Sequence, residues 1–199
     1  MGRAGTPERY AMKKRLIAAL IVLTAAAAIG ATTFSGNLLV RQSWTYSKSG
    51  VPSATQSFAD RLYDLTHTSG AGLNQMDSLF SERVTLTNGQ ARTVNLATGV
   101  TDAFGDTITF TEVKFFAVSL PVSVGAVTNL NNVTVGNAAT NEFATWCGGT
   151  NQTVTVRPGG IFMMVAPDAT GYACTNGNLK ILNAGTNSVI YDLWIGGSN

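Results

Sequence analysis

Charge is what this sequence has least of. Asp, Glu, Lys and Arg make up 12% of its 199 residues, about half the usual share of a soluble domain. Disordered chains are rich in charge and poor in apolar residues; hydrophobic residues stand at 45% here, which argues against disorder. A net charge of +2 supplies no basic face for phosphates, so no nucleic-acid partner is expected. Two cysteines are too few for a disulfide scaffold or a Cys-rich zinc module, and a single histidine makes a His-based metal site improbable on composition. GGTNQT and PGGIF are glycine-rich but lack the Lys and the following helix of a phosphate loop. No cofactor and no catalytic centre is expected. The length suits one domain with its own core and an appendage.

What charge there is sits unevenly. Five of the 13 cations (Arg3, Arg9, Lys13, Lys14 and Arg15) and one of the 11 acids (Glu8) lie in residues 1–31, which leaves eight cations against ten acids beyond them. No charge follows Arg15 until Arg41. The stretch between opens with Leu16, Ile17, Leu20, Ile21, Val22 and Leu23 and ends in small residues near Ala28 and Ala31. A basic start, a short apolar run and small residues fit an export signal. The same pattern fits an uncleaved membrane anchor with its N-terminus held on the cytoplasmic side, although the strongly apolar part is short for a span. A buried Ala-rich core helix is the third reading. Residues 1–40 are therefore taken as a leader or anchor containing an apolar helix, and residues 41–199 as the folded domain.

That domain reads as strands. RQSWTYS (41–47) is a first strand with Trp44 and Tyr46 on one face, followed by a linker, KSGVPSATQ. A short amphipathic helix is expected next, with Ser57 as N-cap, Phe58, Leu62 and Leu65 on one face, and its end near His67. Met76, Leu79 and Phe80 form a helical or irregular cluster. Asn88-Gly89 between Val84/Leu86 and Val94/Leu96 predicts a tight hairpin. Residues 107–120 give the strongest strand, with Val113, Phe115 and Ala117 in one phase and a slip near Thr111-Glu112 that reads as a bulge or kink. Further strands are expected at Asn132–Val135, Glu142–Trp146, Thr153–Arg157, Ile161–Ala166, Leu179–Leu182 and Val189–Ile195, with Pro158-Gly159 forming a type II turn. Short strands at this spacing predict an all-β antiparallel sandwich or barrel. Eight main strands in two sheets make a jelly roll; an immunoglobulin-like sandwich ranks second because its Cys–Trp–Cys spacing is absent.

Few residues suggest chemistry. His67 reads as a helix cap rather than a catalytic base. Asp102 and Asp106, four apart in TDAFGD, could hold calcium or a proton, but an Asp turn onto local backbone N–H groups explains them better, and Asp168 after Pro167 likewise. Asn132-Val133-Thr134 and Asn151-Gln152-Thr153 match the glycosylation acceptor. Cys147 and Cys174 both fall beside turn signals; an exported chain would permit a disulfide worth about 3 kcal/mol, and the alternative is two unrelated buried thiols. Thr-, Asn-, Ser- and Gly-rich strands with few Lys or Glu suit broad protein contacts, where buried charge would cost desolvation. They also suit exported adhesive or carbohydrate-binding domains, for which Trp44, Trp146, Tyr172 and Trp194 are the candidate stacking residues.

Four runs, LATGVTDAFGDTITFTEVKFFAV, NNVTVGNA, VRPGGIFMMVAPDATGY and LKILNAGTNSVIYDLWIGG, occur in that order. Together they resemble small structural proteins of tailed or membrane-containing bacteriophages, over roughly Gln42 to the C-terminus. The resemblance implies a jelly-roll virion component (capsid, decoration or spike), with copies of itself and other virion proteins as partners, and no enzyme. MKKRLIAALIVL departs from that pattern. It fits a virion with a lipid layer into which the segment inserts, or a cellular protein that shares only the sandwich. Two functions are thus expected: a virion subunit, with the membrane as a further partner through its N-terminal segment, or a secreted or cell-surface binding module.

Overall fold

The computed structural model describes residues 34–48 and 54–199. The described chain is all-β and antiparallel and contains no helix. Its strands are β1 (Ser35–Lys48), β2 (Ala54–Thr68), β3 (Ser78–Leu86), β4 (Ala91–Asn95), β5 (Val100–Thr101), β6 (Thr107–Ile108), β7 (Glu112–Leu120), β8 (Ser123–Val124), β9 (Val127–Thr128), β10 (Val133–Gly136), β11 (Thr153–Val156), β12 (Gly160–Val165), β13 (Tyr172–Ala173), β14 (Asn178–Leu182) and β15 (Val189–Ser198). The expected apolar N-terminal helix, with Leu16, Ile17, Leu20, Ile21, Val22 and Leu23, falls outside the described residues. Within them, no helix is long and apolar enough to cross a membrane.

Two sheets share one apolar core. One runs β12-β7-β15-β3, with β13 beside β7; the other runs β11-β10-β14-β4. Phe116, Val118 and Leu120 of β7 meet Val133 and Val135 of β10 and Leu179 and Ile181 of β14 in a single cluster of buried side chains. The clean alternation at the C-terminus puts Val189, Tyr191, Leu193 and Ile195 at 0% exposure, as expected of a strand flanked on both sides. Each aliphatic side chain so buried contributes about 2 kcal/mol of transfer free energy.

Several expected elements are corrected. The short amphipathic helix from Ser57 to His67 is instead the second half of a long β-ribbon, in which β1 pairs with β2 and with no other described strand. The segment also carries a period of two: Asp64, Thr66 and Thr68 are exposed while Leu65 is half-buried and His67 buried. With Thr at alternate positions, the strand period prevails over the helical one. The first strand is longer than expected, beginning at Ser35 rather than Arg41. Leu79 and Phe80 belong to β3, not to a helical cluster. Glu142–Trp146 is a turn joined to Asn178 by one bridge, not a strand.

Asn88-Gly89 makes a turn but not a hairpin. The Gln90 N–H donates to the Thr87 carbonyl at 3.2 Å, and φ is positive at Gly89 (67°) but not at Asn88. That is the pattern of a type II turn; the hairpin type needs both central residues positive. The chain therefore crosses between sheets, β3 pairing with β15 and β4 with β14. Pro158-Gly159 forms the expected type II turn, with the Gly160 N–H on the Arg157 carbonyl at 2.8 Å and φ 81° at Gly159, and it also carries the chain between sheets.

The expected phase of β7 is corrected too. Gly196 of β15 pairs with Phe115 and Gly197 with Val113, so Lys114 is the extra residue of a bulge. Past the bulge, Phe116, Val118 and Leu120 enter the core while Phe115 turns to the other face.

Candidate functional site

The part of the molecule with a structural surplus is the β1–β2 ribbon. Fourteen and fifteen residues long, it would span about 50 Å if straight. At its root, Gly36, Leu38 and His67 share the face turned towards the sandwich, and Asn37, Asp64 and Thr66 share the opposite face. There the Asn37 Nδ2 donates to Asp64 Oδ1 at 2.6 Å and to Thr66 Oγ1 at 3.4 Å, stapling the two strands on the solvent side. Beyond the root, Leu39 and Tyr63 are 56% and 43% exposed. Apart from Thr68, which bridges to Gln75 at the root, neither outer edge has a strand partner among the described residues.

Between the root and β7/β15 lies a cavity of about 310 Å3, lined among others by Phe34, Leu38, His67, Met76, Phe115 and Trp194. Its walls are mostly apolar and aromatic, with Asn37 and His67 the amide and the imidazole among them. The His67 imidazole is 1% exposed, and neither ring nitrogen has a hydrogen-bond partner among the described residues. Desolvation lowers its pKa from the ordinary 6.5, which favours the neutral ring. His67 is thus not a helix cap; it is a strand residue facing an apolar space. The sequence signal for this is the alternation over residues 64–68, which coexists with the helical spacing of Phe58, Leu62 and Leu65.

The remaining polar clusters hold backbone in place. Lys114, 0% exposed, donates to the Asp168 carbonyl at 2.8 Å and pairs with Glu112 at 2.7 Å, clasping the 166–171 loop to the bulge. Asp168 Oδ1 accepts from the N–H groups of Thr170 and Gly171 and from the Thr170 hydroxyl, which lowers its pKa. Asp102 does the same for the N–H groups of Phe104 and Asp106, which is the Asp turn expected there. The buried Glu142 accepts from the N–H groups of Asn137 and Asn151, two residues with positive φ. Asp102 and Asp168 thus place Oδ1, and Glu142 both of its oxygens, on nearby backbone N–H groups, while Glu112 Oε2 pairs with Lys114. No group of three or more His, Cys, Asp or Glu able to hold a metal occurs among the described residues.

The aromatic candidates are dispersed. Trp146 is a core residue, 7% exposed, with its indole N–H on the Phe143 carbonyl and its ring 5.3 Å from Phe116 and 5.4 Å from Phe162. Tyr172 is half-buried against the core. Trp194, also half-buried, faces the cavity at the ribbon root. Trp44 stands on β1 at the register position opposite Phe58. Cys147 and Cys174 are free thiols on adjoining loops, tied together by the Thr145 hydroxyl on the Ala173 carbonyl at 2.9 Å.

Comparison of the chain with protein-family models, with curated proteins and with solved structures gives no match.

Proposed function

We propose that this protein is a structural virion protein of a bacteriophage, a jelly-roll subunit that forms or decorates a capsid by contacts with copies of itself and with other virion proteins. The jelly-roll reading is supported by strand order. Numbered one to eight along the chain, β3, β4, β7, β10, β11, β12, β14 and β15 run 1-8-3-6 in one sheet and 2-7-4-5 in the other. The first pairs with the last, the second with the seventh, the third with the sixth and the fourth with the fifth. That nesting is what a long antiparallel hairpin produces when it rolls into two layers. The virion assignment draws on the resemblance of four runs in the sequence to phage structural proteins.

The observation that carries the assembly role is the β1–β2 ribbon. A two-stranded ribbon alone is marginally stable in water, and beyond Thr68 its edges, which have no strand partner among the described residues, offer N–H and C=O groups to another chain. Fifteen residues of such structure gain most by pairing with a neighbour. A sugar-stacking module is less well supported, because Trp146 and Tyr172 pack against the core.

The test is light scattering and co-sedimentation of the full chain, beside a variant in which residues 40–62 are replaced by a two-residue turn. The full chain is expected to form discrete oligomers or to sediment with particles. The shortened chain should keep its β-type circular dichroism and thermal midpoint but become monomeric. A full chain that stays monomeric at tens of micromolar and leaves particles in the supernatant overturns the proposal.

A further inference from the structure

We infer that the cavity at the ribbon root is a binding site for a small, neutral, largely apolar molecule that carries one hydroxyl group, with the hydroxyl on the His67 imidazole.

Size sets the first limit. An apolar cavity near 150 Å3 accepts benzene, so about 310 Å3 holds a bicyclic aromatic or a chain of comparable bulk. The walls set the second. Phe34, Phe115 and Trp194 offer ring faces and edges, while Leu38 and Met76 fill between them; such surfaces favour a flat apolar body. Among the described residues no Asp, Glu, Lys or Arg lines the space, so a charged ligand would lose its hydration without a counter-charge.

The imidazole sets the third. A neutral imidazole has one N–H donor and one bare nitrogen acceptor, whichever tautomer is present. Both are buried and have no partner among the described residues, and a polar group left so in a folded interior is costly. Asn37, also on the lining, belongs to the outer face of the ribbon, where its Nδ2 donates to Asp64 and Thr66. His67 is therefore the side chain that selects for a polar group on the ligand. A hydroxyl can donate to the bare nitrogen or accept from the N–H, and unlike a carboxylate it sheds its water at modest cost.

The site lies where the ribbon meets the sandwich. A ligand bridging Leu38 and His67 of the ribbon to Phe115 and Trp194 of the large sheet would fix the ribbon's root against β7 and β15. This inference does not depend on the virion reading.

His67 is the single histidine of the chain, so selective 15N-histidine labelling of the full-length protein gives one imidazole to observe and needs no mutation. The probes are 2-naphthol, naphthalene and 2-naphthoate. Expected is a saturable shift of the imidazole nitrogens with 2-naphthol, and an affinity for it about tenfold above that for naphthalene, the size of one buried hydrogen bond. The 2-naphthoate anion should bind no better than naphthalene. In His67→Phe the advantage of 2-naphthol over naphthalene should disappear while naphthalene still binds. Imidazole resonances that do not move, equal affinity for 2-naphthol and naphthalene in the unmodified protein, or an imidazole already hydrogen-bonded before ligand is added would each overturn the inference. Should His67→Phe not fold, the labelled unmodified protein decides the matter alone.

Discussion

At the scale of single residues, this protein uses several of its few charged side chains and its buried amides to hold backbone. Asn183 shows the pattern: fully buried, its Nδ2 reaches the carbonyls of Leu86, Thr87 and Asn187 and its Oδ1 takes the Gly185 N–H. Asn129 likewise spans the Pro121 and Ile190 carbonyls and the Ile190 N–H. Cys174 differs, because its thiol is simply desolvated, and burial pushes its pKa from 9.0 up to about 12. Below pH 9 the thiol is protonated in both folded and unfolded chains and stability does not depend on it. Between pH 9 and 12 the unfolded chain releases a proton that the folded chain retains, so stability falls as pH rises. By pH 10.5 the loss should reach about 2 kcal/mol. Thermal unfolding at pH 8 and pH 10.5 checks this: Cys174→Ala should lose less stability across that interval than the unmodified protein. Burial raises the pKa of the Tyr191 phenol in the same direction, and that contribution should remain in the variant.

At the scale of elements, the turns and the bulge decide which sheet a strand joins. With one positive φ at Gly89 rather than two, the chain leaves β3 for the opposite sheet. The β7 bulge at Lys114 depends on close backbone approach from β15. A Cβ at Gly197 would overlap the Glu112 carbonyl oxygen and come within 2.9 Å of the Phe110 ring. Backbone and a buried ring have little room to give, so Gly197→Ala should cost about 2 kcal/mol by overpacking. Urea unfolding should show a lower midpoint with an unchanged slope; an unchanged midpoint would mean the bulge relaxes freely.

At the scale of the whole molecule, the charges are few and several are already paired. Arg83 with Asp192, Arg92 with Glu82 and Lys114 with Glu112 are internal pairs. An assembly built on ribbon edges and Thr/Asn-rich surfaces would then rest on backbone hydrogen bonds and apolar burial. Such contacts are weakly screened, so the association constant should change by less than about threefold between 50 and 500 mM salt. Oligomer mass measured across that range provides the check; dissociation at high salt would point to charge-driven contacts instead.

The sequence by itself determined the class of the fold and the place of most strands in the sandwich. Period-two alternation at Val189–Ile195 and Leu179–Leu182, and the Gly, Pro and Asn punctuation between runs, are local signals set by which side chains must leave water. It also determined the Asp turns at Asp102 and Asp168, because an Asx turn closes within four residues. Local pattern did not determine Ser57–His67, where helical and strand periods coexist and pairing with β1 selects the strand. Nor did it determine the partners of β3 and β4, since Asn88-Gly89 is compatible with either a hairpin or a crossing. The cavity was decided by tertiary structure alone: Phe34 and Trp194 stand 160 positions apart in the chain, and only the seating of the ribbon root on β7 and β15 brings them, with His67, around one space.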